Sequence, residues 1–190
     1  VSPYYNKPTP EGLYAHYEAL DRASSGIPVI IYNIPSRSVI DINVDLMGRL
    51  SRLQSIVGVK DATSDISRIK KHNELCEDGF IQLSGEDETI YEYMINGGQG
   101  CISVTANILP KVCSDMHKAF SNNDLEEAKR LNNILMPLHK ALFIETSPSP
   151  VKYILSKMNL IDYEVRLPLV KVRQETKSIL DEIVSNLEIK

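Results

Sequence analysis

Two residues that could carry covalent and proton-transfer chemistry stand at the ends of apolar runs. Lys60 follows Ile56–Val59, and Tyr32 follows Val29–Ile31. In a parallel βα barrel, such strand ends open onto the face on which active sites are built. Because burial disfavours a charged lysine, an amine at this rim could attack a carbonyl carbon and form a Schiff base. A neighbouring phenol could transfer the protons that this reaction requires.

Further candidate residues lie at or just after the ends of the same series of apolar runs. Arg37 follows Tyr32 across a proline-containing loop, and its planar guanidinium is suited to binding a carboxylate through two hydrogen bonds. Gly85 comes after the third run, and Ile102 lies in the fourth. Simpler roles also suit these positions, because Lys60 could be a solvated loop lysine and Arg37 a surface ion-pair partner.

Short apolar runs rich in β-branched residues alternate with amphipathic segments through the first part of the chain. Helix start signals precede these segments at Thr9-Pro10, Asn43, Asp65 and Asp87. Strand and helix in alternation predict an α/β fold with a parallel sheet and right-handed crossovers. The predicted strands are Val29–Tyr32, Ile56–Lys60, Phe80–Leu83 and Cys101–Val104.

After Val104 the pattern changes to successive helices. They are predicted at about 107–120, 124–143, 150–158 and 172–187, and the second opens with a capping-box pattern at Asp124–Glu127. We therefore predict a barrel-like domain over 1–121 with about four βα units, and a three-helix domain over 122–190. Periodicity alone does not distinguish half of an eight-stranded barrel from a small open sheet.

The composition argues against several classes of function. A net charge of -4, with 21 scattered Lys and Arg residues, disfavours a nucleic-acid-binding surface. No apolar stretch approaches the length of about 18 residues that a membrane helix needs. The number of cysteines is odd and none falls in a C-x-x-C pair, which indicates free thiols in a reducing compartment: Cys76, Cys101 and Cys113. The four histidines show no metal-binding spacing: His16, His72, His117 and His139.

Six motifs then occur in order: Pro3–Asn6, Tyr32–Arg37, Val57–Thr63, Leu83–Asp87, Ile102–Asn107 and Leu135–Leu138. Their order and the loop lengths between them resemble the 4-hydroxy-tetrahydrodipicolinate synthase (dihydrodipicolinate synthase) family. These are pyruvate-dependent class I aldolase-type lyases of lysine and diaminopimelate biosynthesis. The resemblance covers the whole chain. It implies the C-terminal half of a (β/α)8 TIM barrel, from the end of strand 4 to strand 8, followed by a three-helix domain. It also implies a cytoplasmic homotetramer.

The resemblance assigns roles to the candidate residues. It implies that Lys60 forms a Schiff base with pyruvate, so that no separate cofactor or metal is needed. Tyr32 would relay protons, and Tyr5 would reach the active site of a neighbouring subunit. Arg37 would bind the carboxylate of the second substrate, aspartate 4-semialdehyde.

Three further residues receive roles by the same resemblance. Gly85 and the backbone of Ile102 would line the pyruvate pocket, and Tyr4 would be one wall of the allosteric lysine site. The family's first strands and an early G-T-T-G motif have no counterpart before Val1. The threonine of that motif joins the two tyrosines in the proton relay. We therefore expect a chain shortened at its N-terminus, with little activity by itself.

Three alternatives stay open. N-acetylneuraminate lyase and the keto-sugar-acid aldolases share the lysine and the Y-N-x-P tyrosine, but they generally lack an arginine at the position of Arg37. A non-catalytic half-barrel that only associates through its tail is a second alternative. A phosphate-binding open-sheet module is the third, although Gly97–Gly100 lies between a helix and a strand, whereas a phosphate loop lies between a strand and a helix.

Overall fold

The computed structural model describes residues 1–187, and within them strands and helices alternate as far as residue 102. The strands pair in parallel in the order β1-β2-β3-β4, which is the α/β architecture predicted from the sequence. The elements are α1 (Pro10–Ser24), β1 (Val29–Asn33), α2 (Pro35–Ser38), α3 (Val44–Leu50), β2 (Ile56–Asp61), α4 (Ser67–Leu75), β3 (Ile81–Ser84), α5 (Ile90–Ile95) and β4 (Gly100–Cys101).

Side-chain caps explain where the first helices begin. The Thr9 hydroxyl accepts a hydrogen bond from the Gly12 amide at the start of α1, which also has Pro10 in its first turn. The Asn43 side chain accepts one from the Leu46 amide in the same way and starts α3. The helix starts predicted at Thr9-Pro10 and Asn43 are therefore confirmed, whereas α4 begins at Ser67, two residues after Asp65, and Asp87 begins a 3-10 turn that precedes α5.

Two local predictions were wrong. Residues 102–104 do not continue the fourth strand, because the Ser103 hydroxyl accepts a hydrogen bond from the Ala106 amide and a 3-10 turn follows at Thr105–Asn107. The segment after Tyr32 is not wholly a loop, since Pro35 starts the single helical turn α2. Proline suits a first helical position because the missing amide hydrogen has no partner there.

The register of the first two strands contains an irregularity. Val29 pairs with Ile56, but Ile30 pairs with Gly58, so one residue of β2 is skipped in the pairing. This bulge moves the rest of β2 by one position against β1. As a result Tyr32 lies opposite Lys60 instead of Val59.

The two faces of the sheet differ in burial. One face carries the buried side chains Ile31, Val59 and Gln82 and is covered by helices, whose side chains complete a core. The other face is more open to solvent, and Ile30 and Ile81 on it are 40% and 37% exposed. The core under the helices includes Leu13, Tyr17, Ile42, Leu46, Met47 and Leu50.

Residues 103–190 form a second compact unit, which is helical in its described part. Helices α6 (Pro110–Ser121) and α7 (Leu125–Ala141) pack together, and α8 (Ser149–Lys157) and α9 (Gln174–Asn186) pack against each other. The predicted apolar stripe of α7 is buried, apart from Leu125, which is 37% exposed. Its buried members are Ala128, Leu131, Leu135, Leu138 and Leu142.

The division of the chain into two compact units falls between Ile102 and Ser103, so α6 belongs to the same unit as the tail helices. The predicted end of the barrel-like domain at residue 121 stays a prediction, because compactness by itself does not define a barrel. Within residues 1–187, no helix combines the length and the apolar character needed to cross a bilayer.

We predict that Gly58→Ala destabilises the sheet. A Cβ at this position would lie 2.5 Å from the Ile81 carbonyl oxygen and 2.8 Å from the Ile81 Cβ, so the backbones of β2 and β3 would have to separate. Overpacking of this kind costs about 1–3 kcal/mol of unfolding free energy. Urea unfolding would measure it. Gly12→Ala is the control, since a Cβ there meets only ordinary contacts of 3.5 Å or more. Equal unfolding midpoints for Gly58→Ala and the parent chain would contradict the prediction.

Candidate active site

Parallel pairing of β1 and β2 brings Lys60 and Tyr32 together. Their Cα atoms are partners in the ladder, so both side chains leave the sheet on the same, more open face. The Lys60 Nζ atom lies 3.9 Å from the centroid of the Tyr32 ring. This distance is well inside the range of about 6 Å within which an ammonium group is attracted to an aromatic face. The two residues that sequence reasoning placed at one rim are therefore in direct contact.

Gly85 lies against the side chain of Lys60. A Cβ on Gly85 would be 3.2 Å from the Lys60 Cε atom and 2.7 Å from the Ala62 Cβ, so only glycine leaves the lysine its present path. The Gly85 amide donates a 2.7 Å hydrogen bond to the Asp61 carbonyl oxygen, which fixes this close approach. Gly85 therefore shapes the wall beside the amine.

Ile102 follows β4 and extends the same row of strand ends. Its amide donates a 3.0 Å hydrogen bond to the Ser84 carbonyl oxygen, and its side chain is 48% exposed. Ser84 also fixes the loop beside it, since its hydroxyl accepts a hydrogen bond from the Glu86 amide. The backbone from Ser84 to Glu86 and at Ile102 is thus hydrogen-bonded in place.

Sequence reasoning missed Glu86, a half-buried residue directly after Gly85. Burial raises the pKa of Glu86 above its ordinary value, and the neighbouring carboxylates of Asp87 and Glu88 raise it further. The charges of Lys60 and Arg37 act in the opposite direction and lower this pKa. The carboxyl group of Glu86 is therefore electrostatically coupled to both cationic candidates. Its place between a glycine and two further acids gave no signal in the sequence.

Arg37 lies in the single turn α2, directly after the strand that carries Tyr32. It is exposed. The turn is held by the Ser38 hydroxyl, which donates to the Ile34 and Ile40 carbonyl oxygens, and it ends at Val39 with a φ of 65°. The fixed turn limits the directions in which the guanidinium can reach.

Tyr4 and Tyr5 are exposed to solvent. Tyr4 is 66% exposed and Tyr5 is 86% exposed, and Tyr5 has a φ of 64°, in the left-handed region. The Asn6 amide donates to the Tyr4 carbonyl oxygen, which closes a tight turn around Tyr5. Nearly the whole phenol of Tyr5 is thus available to another molecule, and its predicted role at a neighbouring subunit stays a prediction.

Polar residues directly behind the amine were also missed. Asn33 and Asp61 follow Tyr32 and Lys60 in the chain, pair with each other in the ladder and point to the helix-covered face, where Arg68 joins them. The sequence signal that could have identified them is a polar residue one position after each reactive residue, in an otherwise apolar strand.

Among residues 1–187 no group of three or more His, Cys, Asp or Glu side chains is placed to hold a metal ion.

The fold and the site together define an α/β protein that presents an amine and a phenol at the C-terminal ends of neighbouring parallel strands. Residues 1–187 match the model of the dihydrodipicolinate synthetase family, and the chain belongs to that family.

Individual relatives agree with the family match. The chain is 55% identical over 185 residues to the 4-hydroxy-tetrahydrodipicolinate synthase of Pelagibacter ubique (strain HTCC1062), covering 96% of this chain and 63% of the relative. It is also similar to two solved structures. One is the chloride-inhibited dihydrodipicolinate synthase of Acinetobacter baumannii complexed with pyruvate, with 42% identity, a TM-score of 0.94 and coverage of 99% of this chain and 64% of that one.

The second structure is a dihydrodipicolinate synthase variant described as the first monomeric one, with 34% identity, a TM-score of 0.95 and coverage of 100% of this chain and 64% of that one. The chain thus spans less than two thirds of the length of the curated relatives that it matches.

We predict that Glu86→Gln stabilises the protein at neutral and alkaline pH. Because the pKa of Glu86 is raised in the folded state, its ionised form is disfavoured there relative to the unfolded chain. Removing the charge should therefore raise the melting temperature at pH 8. The gain should shrink as the pH falls and disappear below the ordinary pKa of a glutamate, where the group is neutral in both states.

Thermal unfolding followed by circular dichroism between pH 4 and pH 8 would test this expectation. Glu74→Gln is the matched control, because Glu74 is an exposed residue of α4 that is not among the groups acting on Glu86, and little change is expected there. A gain for Glu86→Gln that is the same at every pH would show that the charge is not its cause.

Proposed function

We propose that this chain provides the Schiff-base half of a lyase active site, which condenses pyruvate with aspartate 4-semialdehyde to give 4-hydroxy-tetrahydrodipicolinate. The observation that carries the proposal is the position of the Lys60 amine, 3.9 Å from the Tyr32 ring centre at the ends of two parallel strands. Membership of the dihydrodipicolinate synthetase family supports the choice of reaction. The pathway would be the synthesis of diaminopimelate and lysine.

Lys60 is the nucleophile in this proposal. Its neutral amine attacks the C2 carbonyl carbon of pyruvate, and loss of water leaves an imine between Nζ and C2. The protonated imine withdraws electrons from C3, so that a methyl proton can leave and a nucleophilic enamine forms. No metal or other cofactor takes part, because the covalent imine itself supplies the electron sink. The pyruvate complex of the Acinetobacter baumannii relative supports the choice of this first substrate.

Tyr32 is the proton carrier. Water can leave only after a proton reaches the carbinolamine oxygen, and the phenol beside Nζ would supply that proton and take one back. Tyr5 would complete the relay in an assembled enzyme by reaching the site of a neighbouring subunit. Its exposure of 86% is consistent with a residue that serves another chain.

Arg37 would select the second substrate. A guanidinium can hold the carboxylate of an aldehyde through two charge-assisted hydrogen bonds, while the aldehyde carbon approaches the enamine. An arginine here favours the synthase over N-acetylneuraminate lyase and the keto-sugar-acid aldolases, which generally lack it. Gly85 and the Ile102 backbone would form the pyruvate pocket, and Tyr4 would contribute to a lysine-binding regulatory site.

The fold around this site belongs to the same proposal. We infer that the four βα units are the second half of a (β/α)8 barrel, that 122–190 is the attached helical domain, and that the enzyme works in the cytoplasm. The exposed apolar residues Ile30 and Ile81 on the open sheet face suit a surface that further strands would cover. A homotetramer is the proposed assembly, although a monomeric variant exists among the relatives.

We predict that borohydride reduction in the presence of pyruvate attaches a covalent adduct to Lys60. The test uses this 190-residue chain and, in parallel, the same chain fused to the N-terminal segment of the Pelagibacter ubique relative. Peptide mass spectrometry would locate the adduct, which Lys60→Arg should abolish. Lys70→Arg is the control, because Lys70 is an exposed lysine of α4, and the adduct should persist there. An adduct on another lysine in the fused protein would contradict the role of Lys60.

We also predict that Arg37→Ala raises the KM for aspartate 4-semialdehyde and leaves the KM for pyruvate nearly unchanged. Loss of a charge-assisted two-point contact costs about 2–3 kcal/mol, which corresponds to a rise of about 30- to 150-fold. Steady-state kinetics of the fused protein would measure both constants. Arg52→Ala, which removes an exposed arginine elsewhere, is the control. Equal increases for the two substrates would refute the proposed role of Arg37.

A further inference from the structure

A buried cluster of polar and charged side chains lies on the face of the sheet opposite to Lys60 and Tyr32. Asn33 is fully buried, Asp61 is 5% exposed and Arg68 is 7% exposed. Burial of charged groups in a protein interior is costly and calls for compensating partners. The cluster belongs to no part of the chemistry proposed above, so its position directly behind the reactive pair needs its own explanation.

Arg68, in the first turn of α4, holds three partners with one guanidinium. Its Nε atom lies 3.1 Å from Asp61 Oδ2, an ion pair whose angle is outside that of a hydrogen bond. One terminal nitrogen is 3.1 Å from each carboxylate oxygen of Asp41. The other terminal nitrogen donates to the Ile42 carbonyl oxygen. A planar group with three nitrogens in fixed directions can reach all three partners at once, which a lysine ammonium on a flexible stem cannot.

Asn33 contacts the same short segment. Its amide nitrogen donates a 2.9 Å hydrogen bond to Asp41 Oδ1, and its amide oxygen accepts a 3.1 Å hydrogen bond from the Ile42 amide. Asn33 and Arg68 therefore share the carboxylate of Asp41 and both contact the backbone of Ile42. Through this shared segment, the end of β1 and the end of β2 are joined to one guanidinium.

The strand register converts this connection into a constraint on the site. Asn33 pairs with Asp61 in the ladder, and the residues one position earlier, Tyr32 and Lys60, also pair. Side chains alternate along a strand. Contacts that hold Asn33 and Asp61 in place on the helix-covered face therefore also fix the directions of Tyr32 and Lys60 on the other face.

Arg68 with Asp41 thus forms a clamp, defined here as the contacts of Arg68 and Asp41 with Asn33 and Asp61. We propose that Arg68 and Asp41 are positioning residues for the reaction: the clamp holds the strand ends that set the distance between the Lys60 amine and the Tyr32 ring. This inference rests on the proposed function of that pair. A buried ionic cluster is a poor source of stability compared with well-packed apolar side chains, so its geometric precision is the property that suits this position.

The test compares Asp41→Asn and Arg68→Lys in the chain fused to the N-terminal segment of the Pelagibacter ubique relative. Asp41→Asn keeps the side-chain shape and changes a half-exposed residue, so it preserves folding even if the Arg68 variant unfolds. Arg52→Lys is the matched control, because Arg52 pairs with Glu77 in an exposed ion pair at 3.6 Å. Circular dichroism at the assay temperature selects the variants that remain folded.

Two measurements follow on the folded variants. The first is the rate of borohydride trapping of pyruvate on Lys60, together with kcat and the KM for pyruvate. A misplacement of about 1 Å can slow a reaction by about a hundredfold. We therefore expect trapping and kcat to fall about tenfold in Asp41→Asn and about a hundredfold in Arg68→Lys. The KM for pyruvate should change less than twofold, and Arg52→Lys should match the parent.

The second measurement does not depend on activity. Nuclear magnetic resonance of 13C-labelled lysine, with the Lys60 Cε signal assigned through Lys60→Arg, reports its distance from the aromatic ring by the ring-current shift. The shift should move toward that of an exposed lysine in both clamp variants. An unchanged signal together with unchanged trapping in folded Asp41→Asn would overturn the clamp. A parent protein with the shifted signal but without trapping would instead refute the proposed function, and the signal in the variants would then decide on the clamp alone.

Discussion

The pairing register of β1 with β2 is the constraint on which the site depends. Because the pairing skips one residue near Val57, Tyr32 lies opposite Lys60. Without that bulge Val59 would lie beside Tyr32 on the open face, and Lys60 would point to the helix-covered side. A shift of one residue exchanges the two faces of a strand, so the reactive amine and the buried core are specified by the same feature. Gly58, at this irregularity, leaves room for the Ile81 backbone on the next strand.

Because of that register, the two faces of the sheet differ in burial and in the types of side chain that they carry. The helix-covered face is occupied by a packed apolar core and by polar groups that are hydrogen-bonded or ion-paired at short range. The other face keeps an amine, a phenol and exposed isoleucines beside one another. The proposed carbonyl chemistry would take place in the second environment, and the proposed clamp that positions its residues lies in the first. The two environments are the opposite faces of one β-sheet.

The groups around Glu86 act in opposite directions on the pKa of its carboxyl group. Glu86 is half-buried beside two other acids, which disfavours its ionised form, whereas Lys60 and Arg37 favour it. Stability alone would favour an uncharged residue at this position. Local departures from optimal stability are typical of functional sites, where the arrangement serves the reaction instead of the fold. The same reasoning applies to the buried guanidinium of Arg68. It makes polar contacts with Asp41, Asp61 and the Ile42 carbonyl oxygen, and apolar side chains at its position could not make these directional contacts.

Local signals in the sequence determined the α/β alternation, the helix starts at Thr9 and Asn43, and the assignment of Lys60 and Tyr32 to neighbouring strand ends. These features depend on residues close together in the chain, and capping and hydrophobic periodicity record them directly. The sequence also carried the family motifs that indicated Arg37 and Gly85. Tertiary structure alone decided the bulge, the contact between Nζ and the ring, and the coupling of Glu86 to both cations. It also decided that Arg68 reaches Asp41 and Asp61. Each of these is a distance between segments that only the folded sheet brings together, and no periodicity within a single segment encodes such a distance.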